Sequence, residues 1–113
     1  METRVKTHKD ITVITITGSL DIEVTQPFKK ACLDHLGQKK VVFNMHKTNF
    51  VGSTGVHPFI ETIKSLTTNS EHGLKLVGLQ PEFKRIFQNL DLAKLEFHDS
   101  ETTALGSFEQ KIV

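Results

Sequence analysis

The chain is 113 residues long and carries 14 Lys and Arg against 13 Asp and Glu, which gives a net charge of +1. This length fits one domain, and the content of 37% hydrophobic and 24% charged residues is typical of a globular fold. The near-neutral charge argues against binding to nucleic acid or to an anionic membrane, because such partners are held by clustered Lys and Arg. No apolar run approaches the roughly 20 residues of a membrane-spanning helix, and no signal-peptide segment is evident, so we expect a cytoplasmic protein without membrane insertion.

The beginning of the chain predicts a β-hairpin. A weak strand at Arg4–Lys9 precedes a β-branched run that starts at Ile11 and ends at Gly18. Lys9 and Asp10 form the predicted turn between the two strands.

A helix and a buried strand are predicted next. Thr25 is the predicted N-cap of the helix, and Pro27 follows in its first turn, where a missing N–H costs little. Cys32 lies on the apolar face of this helix as a small core residue. Gly37 is predicted to end the helix in a left-handed conformation. The short apolar run Val41–Phe43 is typical of a strand that is buried on both faces, as in parallel sheets.

The second half of the chain continues this alternation. Apolar residues recur at helical spacing after the sequence GSTG, and a strand is predicted at Leu74–Val77. Pro81 opens a third helix, since proline is favoured at the first helical positions. A short strand at Leu95–Phe97 follows, and either Asp99 or Ser100 caps a last helix.

The order of these elements predicts an α/β fold. Strands that alternate with helices form βαβ units and a parallel sheet, and the leading hairpin adds an antiparallel edge. We therefore expect residues 1–113 to form a single domain with a mixed, mostly parallel sheet of about five strands and four helices.

The loop Gly52–Gly55 is the most informative feature for function. It contains two hydroxyl groups between glycines, at the start of a predicted helix. Backbone N–H groups at a helix N-terminus lack intrahelical partners and favour an anion. The hydroxyls could therefore cap the helix, help to bind a phosphate, or accept one covalently. The segment is not a Walker loop, because no lysine follows it at the required spacing.

No other pattern indicates chemistry. The six histidines show no metal-ligand spacing, so we expect no metal and no cofactor. A serine nucleophile would need an adjacent base, and His57, the only candidate nearby in the sequence, is more simply a surface residue. We therefore expect a protein that is not an enzyme.

Five segments in the same order and register resemble one known family. The chain resembles the STAS domains of bacterial anti-anti-sigma factors (anti-sigma factor antagonists), most strongly over residues 11–105. The resembling segments are Gly18–Asp21, Val41–Met45, Phe50–Gly55, Leu74–Leu79 and Pro81–Phe87.

The resemblance implies a phosphorylation-switched protein-binding module. Ser53 matches the family's phosphoacceptor serine, and Thr54 is the second choice. In such proteins the unphosphorylated form binds an anti-sigma factor that is also a serine kinase of the ATPase type, which frees a sigma factor, and a phosphatase reverses the phosphorylation. The partner-binding residues implied here are Asp21, Gly52, Ser53, Thr54, Gly55, Val56 and His57.

The chain departs from the family pattern at two positions. Gly52 stands where the family has an acidic residue before the serine. Pro58 follows early in the predicted helix, where it removes one backbone hydrogen bond and disfavours helical dihedrals at His57. We therefore predict that this helix starts late or is distorted in its first turn.

Two other functions remain open. The domain could be a STAS scaffold that is not phosphorylated, as a subunit of a signalling or lipid-transport complex. It could also bind a nucleotide or another anion noncovalently at the loop Gly52–Gly55.

Overall fold

Helices and strands alternate after an initial hairpin, as the sequence predicts. The computed structural model describes the backbone of residues 1–109 and the side chains of these residues other than 52–54 and 109. The elements are β1 (Glu2–His8), β2 (Ile11–Leu20), α1 (Ile22–His35), β3 (Lys40–Phe50), α2 (Gly52–Asn69), β4 (Leu74–Val77), α3 (Pro81–Gln88), β5 (Leu95–His98) and α4 (Glu101–Glu109).

The strands form one mixed sheet. It has five strands in the order β1-β2-β3-β4-β5. Strand β1 is antiparallel to β2, and every other neighbouring pair is parallel. This confirms the predicted mixed, mostly parallel sheet with an antiparallel edge.

Strand β3 is much longer than the predicted Val41–Phe43, since it continues to Phe50. Its second half pairs with β2 alone and mixes buried with exposed residues, so it lacks the continuous apolar run of a strand covered on both faces. The pairing also contains a β-bulge. Thr15 pairs with Asn44 and Thr17 pairs with Lys47, so β3 advances by three residues where β2 advances by two. The sequence pattern therefore revealed only the fully covered half of this strand.

The main core fills the sheet face that is covered by α1, α2 and α3, and aromatic rings dominate it. The ring of Phe59 lies 5.9 Å from that of Phe28, 6.0 Å from that of Phe43, 5.3 Å from that of Phe50 and 5.8 Å from that of Phe87. These separations suit favourable aromatic pairs. The helical spacing on α1 and α2 directs their apolar residues into this cluster, which fixes both helices on the sheet.

A smaller core lies on the opposite face of the sheet, under α4. The buried residues of this core are Ile11, Val13, Val42, Val77 and Ala104.

The cap of α4 is Ser100, whose Oγ accepts a hydrogen bond from the N–H of Thr103 at 3.3 Å. This hydrogen bond decides between the two predicted caps, Asp99 and Ser100.

The ends of α1 differ from the prediction. Asp21 is the N-cap, and its side chain accepts a hydrogen bond from the N–H of Val24. Thr25 lies within the helix and donates its hydroxyl hydrogen bond to the carbonyl of Asp21 at 3.0 Å. Pro27 is consequently beyond the first turn. At the other end Leu36 is the C-cap, and Gly37 does not have the left-handed conformation that the sequence predicts for it.

The prediction that Pro58 delays or distorts the start of α2 is wrong as to the start. The helix is continuous over Gly52–Asn69, and Pro58 lies inside it. A proline in a helix interior costs about 3 kcal/mol, but Phe59 and Ile63 are fully buried on the same helix. Burial of one such side chain contributes about 1.5–3 kcal/mol, so tertiary packing offsets the missing hydrogen bond.

Candidate functional site

The candidate site is the first turn of α2, which follows directly on β3. Val51 is the N-cap residue, and its side chain makes no capping hydrogen bond. The first turn contains no acidic residue. The position of this turn is fixed by the N–H of Val51, which donates a hydrogen bond to the carbonyl of Leu20 at 2.9 Å. This bond ties the end of β3 to the end of β2.

Ser53 lies in this first turn of α2. Its side chain and that of Thr54 lie outside the described residues, as does any contact of Gly52. The assignment of Ser53 as phosphoacceptor, with Thr54 as second choice, therefore stays a prediction. What the backbone contributes is the location of the serine at the positive end of the helix dipole.

Gly55 brings α2 close to the junction between β2 and α1. A Cβ atom at this position would collide with the carbonyl oxygen of Leu20 and would lie 3.0 Å from the Cα atom of Asp21. Only a glycine allows the two backbones to approach this closely. Gly55 thus has a packing role, in addition to the predicted place on a binding surface.

The remaining predicted partner-binding residues divide between core and surface. Val56 is buried in the main core. His57 is exposed, and its Nε2 lies 4.0 Å from Oε2 of Glu61. Asp21 is half-buried, and its carboxylate caps α1. Of the side chains described, His57 and Asp21 are the ones that offer polar atoms to a partner here.

Two exposed apolar residues at this end of the molecule were not predicted. Val51 is 49% exposed and Ile22 is 43% exposed. Ile22 directly follows Leu20 and Asp21, the two residues that Gly55 approaches, and the N–H of Val51 donates to the carbonyl of Leu20. Ile22 lies off the apolar face of α1 that Phe28 and its neighbours define, and that mismatch is the sequence signal that could have singled it out.

The flank of the site is polar and joins the first two helices. The Lys29 Nζ donates to Glu61 Oε1 at 3.1 Å. This hydrogen bond and the lysine charge hold the pKa of the Glu61 carboxyl below its ordinary value. The pair links α1 to α2 and leaves a mixed charge beside His57.

No metal or thiol chemistry is indicated in the part of the chain that the structure describes. No three His, Cys, Asp or Glu side chains there are grouped to hold a metal ion. Cys32 is buried, which confirms its predicted place in the core, and burial raises the pKa of its thiol to about 12. A thiol with such a pKa is not a nucleophile at neutral pH. None of the described helices is long and apolar enough to span a membrane.

A protein-family model identifies the family of this chain. The STAS domain model matches residues 2–104. The chain belongs to the STAS domain family. No curated protein is detectably similar to it.

Solved structures share this STAS fold at low sequence identity. The phosphorylated form of the Bacillus cell fate determinant SpoIIAA is 17% identical, with a TM-score of 0.63 over 94% of this chain and 98% of that one. A protein described as a candidate anti-sigma factor antagonist from Thermotoga maritima is 18% identical, with a TM-score of 0.73 over 96% and 95%. An anti-sigma factor antagonist from Mycobacterium paratuberculosis is 20% identical, with a TM-score of 0.66 over 96% and 94%.

Proposed function

We propose that this STAS protein is a cytoplasmic anti-sigma factor antagonist whose binding is switched by phosphorylation of Ser53. In the unphosphorylated state it binds an anti-sigma factor that is also an ATP-dependent serine kinase, and a phosphatase restores that state. The observation that carries the proposal is the location of Ser53 in the first turn of α2, directly after β3, in a chain of this family. The protein itself is proposed to bind and not to catalyse.

The geometry of the first turn supports a phosphate at this place. A phosphoserine adds about −1.5 to −2 charges at neutral pH. The helix dipole and the first N–H groups of α2 favour negative charge there. The side chain of Val51 makes no capping hydrogen bond and the first turn has no acidic side chain, so neither competes with a phosphate. Phosphorylation is therefore compatible with the folded domain.

The surface around the turn supports the other half of the switch. Val51 and Ile22 are exposed apolar side chains at the end of the molecule where α2 begins, and such residues favour contact with a protein. In that contact the phosphate would have to be desolvated, which weakens binding. One modified residue could thus change affinity and leave the fold intact.

Phosphorylation is tested with the anti-sigma kinase of the same organism and ATP, followed by peptide mass spectrometry. We expect phosphate on Ser53 in the natural chain and in Thr54→Ala, and none in Ser53→Ala. Phosphate on neither hydroxyl would contradict the switch.

Binding is tested with charge-matched variants. Ser53→Asp should lower the affinity for the unphosphorylated partner by at least about tenfold, since an unpaired charge enters the interface. The new side chain in Ser53→Asn matches that in Ser53→Asp in size but carries no charge. Ser53→Asn should therefore bind much more tightly than Ser53→Asp. Equal affinities for the two variants would contradict an electrostatic switch.

A second candidate is a STAS scaffold that is not phosphorylated, in a signalling or lipid-transport complex. The specific observation in its favour is Gly52, which stands where the family has an acidic residue before the phosphoacceptor serine. Affinity capture from the native organism distinguishes the two candidates. Recovery of transporter ATPase subunits, with no phosphate on Ser53, would favour the scaffold.

A further inference from the structure

Strand β1 is an open edge of the sheet. Within the described part of the chain it pairs only with β2, and all of its residues are exposed. The opposite edge differs, because β5 spans only Leu95–His98 and α4 packs against it. An edge strand presents unpaired backbone N–H and C=O groups, which can pair with a strand of another chain.

The hairpin determines which groups of β1 face outward. His8 pairs with Ile11 across a two-residue loop, and such a loop closes on a hydrogen-bonded pair. Hydrogen-bonded and non-bonded pairs alternate along antiparallel strands. Thr3, Val5 and Thr7 are therefore the β1 residues whose N–H and C=O groups point to the open edge.

One face of this edge carries two cationic side chains, Arg4 and Lys6, next to the acidic Glu2. Lys6 Nζ lies 2.9 Å from Oε2 of Glu101, whereas Arg4 has no ion pair within the described residues. Arg4 borders a polar groove of about 530 Å³ on the part of the sheet that α4 leaves open. The groove is lined by Glu2, Arg4, Thr15, Asn44, His46 and Lys47, among others.

The other face of the same edge is apolar. Val5 is 64% exposed, the most of any large hydrophobic residue in the described part of the chain. It borders a groove of about 300 Å³ between the hairpin and α1. The apolar residues that line this groove are Val5, Ile14, Phe28, Ala31, Cys32 and Leu36.

We propose that β1 is a docking edge for an extended segment of a partner protein in which acidic and apolar residues alternate. An added strand would pair its backbone with Thr3, Val5 and Thr7. Because side chains alternate between the faces of a strand, its acidic side chains would lie opposite Arg4 and Lys6. Its apolar side chains would lie beside Val5, at the groove along α1.

Charge complementarity selects this occupant over a second copy of the chain. An antiparallel pairing of two β1 strands along their full length is centred on Val5 and places Arg4 opposite Lys6 at two positions, whereas registers that bring Glu2 opposite Arg4 or Lys6 pair fewer residues. Like charges directly opposite each other destabilise a strand pair, and opposite charges stabilise it. In the full-length register the same charges thus discourage self-association and favour an acidic strand. This edge is separate from the first turn of α2 and does not depend on phosphorylation.

The test uses synthetic peptides as long as β1, with the isotope-labelled full chain observed by NMR. The first peptide alternates Glu with Val, the second alternates Lys with Val, and the third contains the residues of the first in scrambled order. We expect the first peptide alone to bind, and to shift and protect from exchange the amides of Thr3, Val5 and Thr7. Absence of binding, or shifts confined to another surface, would overturn the proposal.

Three variants separate strand addition from general charge attraction. Arg4→Glu should weaken binding of the Glu–Val peptide by about fivefold, from the loss of one cross-strand charge pair and the gain of a like-charge pair. Lys30→Glu, an exposed change of the same net charge on α1, should leave the affinity unchanged. Val5→Pro should abolish binding because it removes an outward N–H, and its own amide spectrum should still show the β1–β2 pairing. Equal effects of Arg4→Glu and Lys30→Glu, or full binding by Val5→Pro, would overturn the proposal.

Discussion

The two faces of the sheet are built in different ways. Under α1, α2 and α3, six phenylalanine rings form a continuous network of ring contacts. Under α4, the buried side chains are aliphatic, and polar links supplement them. Asn44 Nδ2 donates to Glu101 Oε1 at 2.8 Å, and Lys75 Nζ lies 2.8 Å from Glu96 Oε1.

This difference separates two tasks. The aromatic face positions the start of α2, where the candidate switch lies, and it tolerates Pro58 within that helix. Helix α4 covers only part of its face of the sheet and leaves open the groove that is lined by β1, β2 and the second half of β3. Substitutions on the two faces should accordingly differ in the size and in the kind of their effects.

The largest effect is expected from Phe59→Ala. Phe59 is fully buried at the centre of the aromatic cluster, and its truncation should lower the free energy of unfolding by about 3–5 kcal/mol. Leu33→Ala on the exposed side of α1 is the control and should change it by less than about 0.5 kcal/mol. Denaturant unfolding measures both. A loss below about 1 kcal/mol for Phe59→Ala would show that the cluster does not carry the stability of this face.

The same glycine substitution should have opposite effects on the two faces. Gly55→Ala forces a Cβ atom against the backbone of Leu20 and Asp21, and such overpacking costs about 1–3 kcal/mol. Gly106→Ala in α4 is the matched control, because a Cβ atom there would meet no described atom within 4 Å beyond the backbone of its own helix. It should stabilise the protein by about 0.5–1 kcal/mol through helix propensity. Thermal unfolding should therefore move in opposite directions, and a shift of the same sign would contradict the close approach at Gly55.

Most of the architecture could be predicted from the sequence because it depends on local periodicity. The apolar spacing of α2 specified that helix and its buried side, and the run Leu74–Val77 specified a strand. The second half of β3 could not be predicted, because its exposure depends on how far α4 reaches across the sheet. The cap of α1 was misplaced, since both Asp21 and Thr25 are residue types that cap helices.

The candidate site was predictable in part. The GSTG sequence and its family resemblance indicated Ser53, and the structure adds the location of that residue in the first turn of α2. The packing role of Gly55 was not predictable, because it arises from a contact with Leu20 that is distant in sequence. The exposure of Ile22 and Val51 likewise depends on which neighbours cover them in three dimensions.

An ion pair on the α4 face should give an effect of intermediate size. Lys75 is almost fully buried, its ammonium group lies 4.3 Å from the centre of the Phe108 ring, and Glu96 is its counterion. Glu96→Gln leaves the lysine charge uncompensated and should lower the free energy of unfolding. The loss should be limited to about 1–2 kcal/mol, because half of the glutamate side chain faces water. Adding Lys75→Met should restore much of the loss. A double variant as unstable as Glu96→Gln alone would contradict this account.

The same pair predicts an acid dependence of stability. The hydrogen bond from Lys75, with those from His98 and Ser107, lowers the pKa of the Glu96 carboxyl from 4.5 to about 2. The unfolded chain therefore takes up this proton first, so the stabilisation is present above pH 4.5 and is lost as the pH falls toward about 2. Unfolding measured across this range should show a smaller pH slope for Glu96→Gln than for the natural chain. An unchanged slope would assign the acid sensitivity to other carboxylates.

The smallest effect concerns the junction at which the aromatic face meets the candidate site. Asp21 caps α1 through the N–H of Val24, and its backbone contacts the helix that begins at Gly52. Asp21→Ala should cost about 1 kcal/mol, whereas Asp21→Asn retains a capping side chain and should cost less. Faster hydrogen exchange should be confined to the Val24 amide and its neighbours in the first turn of α1. If both variants were equally unstable, the charge and not the cap would matter here. Asp21→Asn, which removes the charge and keeps the cap, therefore also measures what Asp21 contributes to partner binding beyond holding α1 in place.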